Sequence, residues 1–131
     1  MIRAVDTCII ARWLMRDDPV QTPIADRVME GPIEITHTVL LELGWLMTSA
    51  GRMSREQFAA TALLLLSIER AVIKGRDRLR WAVECFRDGA DWSDMVHVAV
   101  VEAASKFSTF DKKLEQQAGS RAPVRVEVLK N

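Results

Sequence analysis

The chain has 131 residues, with 18 Lys plus Arg against 18 Asp plus Glu and 49% apolar residues. That length suits a single domain over residues 1–131, and the apolar content excludes wholesale disorder. A formal net charge of zero excludes a simple polycationic nucleic-acid binder and leaves only a local basic face open. Cys8 and Cys85 are too few for a disulfide scaffold, so free thiols in a reducing cytosol are expected. The opening run MIRAVDTCIIARWLMRDD is interrupted by Asp6, Arg12 and Arg16 and lacks a cleavage site, so it does not read as a secretory signal. The most apolar stretch, Phe58 to Ile68, falls short of the roughly 20 residues of a membrane-spanning helix. A soluble cytoplasmic protein is expected.

In chain order, Ile2 to Val5 reads as a short strand ending at Asp6. Ile9 to Met15 reads as a helix that Asp17-Asp18-Pro19 stops, because proline disfavours helical geometry in the residue before it. A helix from about Thr22 to Met29 ends at Gly31-Pro32, and Ile33 to Thr36 is a second strand. Val39, Leu40, Leu43, Leu46 and Met47 recur at helical spacing, with Gly51 as the expected C-cap. Ser54-Arg55-Glu56-Gln57 has the spacing of a capping box and opens a helix through Ile68. Ala71 to Ile73 is a third strand, followed by helices over Asp77 to Phe86 and Trp92 to Ser105. Phe107 to Phe110 is a fourth strand, and the alternation of Val124, Val126 and Val128 with Arg125 and Glu127 marks a last strand with one wet face. This alternation predicts an α/β fold, a Rossmann-like three-layer α/β/α sandwich around a mostly parallel central sheet.

Asp6 directly follows a strand, Glu42 interrupts the apolar helix VLLELGWLM, Asp94 falls in the first turn of the Trp92 helix, and Asp111 follows a late strand. Parallel sheets gather strand ends and following helix starts at one edge, the usual ligand crevice. Asp6, Asp94 and Asp111 are expected there, with Glu42 leaning in. Carboxylates so gathered repel one another and are answered most economically by a hard divalent cation, Mg²⁺ or Mn²⁺. Such an ion makes hydroxide from water and, when paired, also stabilises a leaving oxygen, which points to metal-dependent hydrolysis of a phosphodiester. Taken singly, each acid has a plainer role: Asp6 as a helix cap, Asp94 as a partner of the helix dipole, Asp111 as a turn residue and Glu42 as a solvated side chain.

Val5-Asp6-Thr7, Leu41-Glu42-Leu43, Ala90-Asp91-Trp92-Ser93-Asp94 and Ser108-Thr109-Phe110-Asp111, in that order, resemble the PIN-domain ribonucleases. Size and element order resemble the VapC-type toxins of type II toxin–antitoxin (VapBC) modules. The resemblance covers essentially the whole chain. It implies a PIN-like fold, Mg²⁺- or Mn²⁺-dependent endoribonuclease activity with tRNA among the substrates, a homodimer and a cognate antitoxin protein. It assigns catalysis and metal binding to Asp6, Glu42, Asp94 and Asp111. Thr7 and Thr109 match supporting hydroxyls. Asp91 is either an outer ligand or the N-cap, and the cap is favoured. The alternative to an enzyme is a non-catalytic PIN-like module that binds RNA or protein.

Setting those four carboxylates aside leaves 14 acidic against 18 basic residues. Arg12, Arg16, Lys112 and Lys113 are the expected contacts to an RNA backbone. His97, three residues after Asp94, is expected as a supporting or core residue, with a base facing the crevice as the alternative, and His37 as local structure. Cys8 is expected to be a small buried hydrophobe. Trp45 is expected in the core, with a partner surface as the alternative, and the Leu63 to Leu66 run is either deeply buried or covered by a partner.

Overall fold

A computed structural model describes residues 1–130 of the chain. The order is β1 (Arg3–Ala4), α1 (Thr7–Met15), α2 (Gln21–Glu30), β2 (Ile33–Glu34), α3 (His37–Thr48), α4 (Arg55–Leu66), β3 (Ala71–Val72), α5 (Arg76–Arg87), α6 (Trp92–Ala99), β4 (Lys106–Thr109), α7 (Lys112–Ala118) and β5 (Arg125–Val128). Every strand pairing is parallel, and helices make every connection, as expected of an α/β protein. No helix among the described residues is long and apolar enough to cross a membrane.

The parallel strands fall into two ladders rather than the single central sheet expected: β1-β2-β3 and β4-β5. Arg3 pairs with Ile33 and Ile33 with Ala71, while Lys106 to Thr109 pair with Arg125 to Val128. The β1 ladder is only two residues long, and Ile2 is 57% exposed beside it. One buried cluster nevertheless runs through both parts, from Val5 and Ile10 through Phe58, Leu65, Val83 and Met95 to Leu114 and Val124.

Local signals explain most boundaries. Asp6 caps α1, Gly31 ends α2, and Ser54 with Gln57 forms a complete capping box on α4, in which the Gln57 side chain also accepts from the Ser54 N–H at 2.8 Å. Gly51 is not the cap of α3. The helix stops at Thr48, where the Ser49 N–H bonds the Trp45 carbonyl at 3.0 Å. Gly51 is needed for space instead, because a Cβ there would lie 2.8 Å from the Met47 carbonyl oxygen. The helix expected through Ser105 stops at Ala99. Nothing in Val100–Ser105 breaks a helix by propensity. The stop coincides with a tertiary bond, the Arg78 guanidinium of α5 donating to the Val101 carbonyl. Helix α7 was not expected at all, although Asp111 at its start, Leu114 and Ala118 one turn apart on its buried face and Gly119 beyond it are ordinary helix signals.

Candidate active site

Asp6 leaves β1 in extended geometry. Its Oδ1 accepts the Thr7 N–H at 2.8 Å and its Oδ2 the Cys8 thiol at 3.4 Å. The capping role expected of this residue is thus present. Thr7 beside it is 4% exposed, and its Oγ1 has no hydrogen-bond partner among the described residues. An unsatisfied buried hydroxyl is costly, so an atom of this kind marks either stored strain or a missing ligand.

Asp91 caps α6, its Oδ2 accepting the Asp94 N–H at 2.9 Å, which is the role favoured for it. Its own N–H donates to Gln117 Oε1 at 3.2 Å, tying the start of α6 to α7. Asp94 is half-buried in the first turn of the helix. Burial, then the like charges of Asp91 and Asp111, raise its carboxyl above the ordinary carboxylate value, while His97 pulls the other way. Asp111 caps α7, its Oδ1 accepting the Lys113 N–H at 2.9 Å, and the Thr109 hydroxyl accepts the Asp111 N–H at 3.0 Å. Thr109 therefore acts on the backbone that aims Asp111. Glu42 is exposed on α3, whose buried residues are Leu40, Leu43, Gly44 and Met47.

The helix bearing Asp91 and Asp94 is held from below. Trp92 is 7% exposed and its Nε1–H donates to the Leu40 carbonyl at 3.1 Å. The indole lies against Gly44, where a Cβ would come within 2.2 Å of Trp92 Cδ1. Phe58, Phe86 and Trp92 form a mutual edge-to-face triad with centroids 5.3–5.9 Å apart. Arg55 stacks 4.6 Å above the Phe86 ring and donates to the Phe86 and Ala90 carbonyls at 2.8 and 2.7 Å, fixing the turn that delivers Asp91. Of these supports, Phe86 is legible as part of the apolar face of α5, and Gly44 left a trace as the one glycine within α3.

The structure thus groups Asp94 electrostatically with Asp91 and Asp111. Among the described residues, no three His, Cys, Asp or Glu side chains converge as a metal cluster. The donors themselves, carboxylates and threonine hydroxyls, suit a hard cation. Arg12 is engaged by Gln21 and Asp17, and Arg16 by both oxygens of Asp26 at 2.8 Å, whereas Lys112 and Lys113 are exposed. His37 is structural but not local, its Nε2 bonding the Lys74 carbonyl 37 positions away at 2.7 Å. Cys8 is exposed rather than buried, since it sits on the outer side of α1 next to Asp6. Trp45 is not core; it is 69% exposed, and Leu64 is 55% exposed on α4.

The PIN domain family model matches residues 3–120. The chain belongs to the PIN-domain family, and its fold is of nuclease type. No curated protein and no solved structure matches it.

Proposed function

We propose that the chain is a Mg²⁺- or Mn²⁺-dependent endoribonuclease that hydrolyses RNA phosphodiester bonds, tRNA among its substrates. In this reading it is the toxin of a toxin–antitoxin pair. It works in the cytoplasm as a homodimer and is silenced by a small antitoxin protein. The observation that carries the nuclease reading is Asp94: half-buried, beside Asp91 and Asp111, and harder to ionise than an ordinary carboxyl in a chain of the PIN family. A cation at this point relieves that repulsion.

Asp6, Asp94 and Asp111 would hold the metal, and Glu42 would orient the attacking water. A bound divalent ion supplies an acidified water and charge stabilisation at the phosphate. Thr7 would add its buried hydroxyl to that set, Thr109 fixes the backbone of Asp111, and Asp91 keeps the first turn of α6 in register. Trp45 and Leu64 offer apolar surface to a second copy or to the antitoxin.

The experiment is cleavage of a structured RNA with and without Mn²⁺, alongside thermal melting. Mn²⁺ should raise the midpoint, because binding to the folded state alone stabilises it by mass action. Asp94→Asn and Asp6→Asn should fold yet lose cleavage, and Mn²⁺ should shift their midpoints less. Undiminished cleavage by both variants would refute the assignment. The second reading, a non-catalytic module that binds RNA or protein, draws on the lack of a convergent cluster of three acids among the described residues. It predicts RNA or protein binding without turnover at any Mn²⁺ concentration.

A further inference from the structure

Building on the nuclease reading, we propose that Phe110 is a stacking platform for an unpaired nucleobase next to the scissile phosphate, with Lys112 and Lys130 gripping the flanking phosphates. Phe110 is 68% exposed and directly precedes Asp111. Adjacent Cα atoms lie only about 3.8 Å apart, so the backbone of Phe110 adjoins that of the proposed catalytic acid. Phe110 forms one wall of a cavity of about 590 Å³ shared with Lys112, Gln116, Val128, Leu129 and Lys130. Leu129 is a second exposed apolar side chain in the same lining. Just beyond β5, the Leu129 N–H donates to the Thr109 carbonyl at 2.7 Å, which ties this lining residue to β4.

The mixture of groups selects the occupant. Leu129, 45% exposed, extends the apolar surface beside the ring. Lys112 and Lys130 make no ion pair among the described residues, so their charges remain available. Glu115, one turn after Lys112, also lines the cavity and turns phosphates away from its own side. An exposed aromatic sharing one lining with two cations that are unpaired among the described residues fits a chain of alternating bases and phosphates. It fits a single strand, because a base in a duplex is already stacked and its faces are hidden.

The test is fluorescence anisotropy with a labelled single-stranded RNA decamer in Mg²⁺, using Asp94→Asn protein so that the probe survives. Phe110→Ala should weaken binding by about 5- to 150-fold, and Phe110→Tyr should restore it. The slope of log affinity against log salt should be unchanged by Phe110→Ala but fall by about 0.7 in Lys112→Ala, the signature of one lost phosphate contact. With abasic RNA, Phe110 and Phe110→Ala proteins should bind alike. Equal affinity for the intact decamer overturns the proposal, as does a loss that persists on abasic RNA. A change in oligomeric state on Phe110→Ala with RNA affinity intact also overturns it and marks a protein interface instead. If the unsubstituted protein cleaves RNA but Phe110→Ala changes nothing, only this inference falls. If it neither binds nor cleaves RNA, the nuclease reading falls as well.

Discussion

Gly44→Ala sets two effects of opposite sign against each other. In an exposed helix interior, replacing glycine by alanine gains about 0.5–1 kcal/mol through lost chain entropy. Here the new Cβ would lie 2.2 Å from Trp92 Cδ1 and 2.3 Å from Nε1, far inside contact distance. The indole cannot swing away freely, being packed edge-to-face against Phe58 and Phe86 and hydrogen-bonded to Leu40. Overpacking of this kind costs about 1–3 kcal/mol. Losing the indole hydrogen bond adds about 1 kcal/mol, and disturbing the aromatic pairs adds about 1 kcal/mol. The net expectation is a destabilisation of about 2–4 kcal/mol, so the clash outweighs the entropy gain. For a chain of this size that lowers the melting midpoint by roughly 8–16 °C. Circular dichroism melts checked against urea titration measure it, with the near-ultraviolet tryptophan signal reporting the indole. A Gly44→Ala protein that melts at or above the parent would refute the packing argument.

Two further outcomes are expected. Thr7→Val removes the unpartnered buried hydroxyl at nearly constant shape, so the metal-free protein should gain about 1 kcal/mol in urea titration while the Mn²⁺-induced rise in midpoint shrinks. A stability loss with an unchanged Mn²⁺ response would show that Thr7 has no part in the site. Asp26 has its carboxyl lowered, chiefly by its hydrogen bonds from Arg16. A depressed carboxyl stabilises the fold above its ordinary value of 3.8, and that contribution fades as pH falls through the folded value. Asp26→Asn should therefore melt lower than the parent near neutral pH, and the gap should close below about pH 3.8 in a series of melts. A gap that widens on acidification contradicts the sign.

Much of the fold was legible because its signals are local. The capping box at Ser54 and Gln57, the Gly31-Pro32 stop and the strand-then-acid pattern at Asp6 need only neighbouring residues to act. The end of α6 was not legible, since it coincides with an arginine twenty-three positions earlier donating to Val101. Helix α7 was legible but overlooked, because its short run Lys112–Ala118 shows only two apolar residues. The same division holds for the site. The role of Asp91 as a cap follows from its place before a helix, whereas Asp111 reads as a turn residue while α7 goes unread, and the elevation of Asp94 depends on its burial and then on the carboxylates of Asp91 and, across the fold, Asp111. The exposure of Trp45 and Cys8 was missed for a related reason: helical spacing alone does not say which face another element covers.

The arginines hold a last consequence. Arg55, Arg70 and Arg76 spend their donors on main-chain carbonyls, of Phe86 and Ala90, of Met29, and of Leu66, Ile68 and Ala71. Among the described residues, none of Asp6, Glu42, Asp94 and Asp111 takes part in an ion pair. A chain that is electrically balanced on paper therefore spends these three guanidinium groups as mortar on its own backbone, and leaves those four acids for an outside counter-charge to answer.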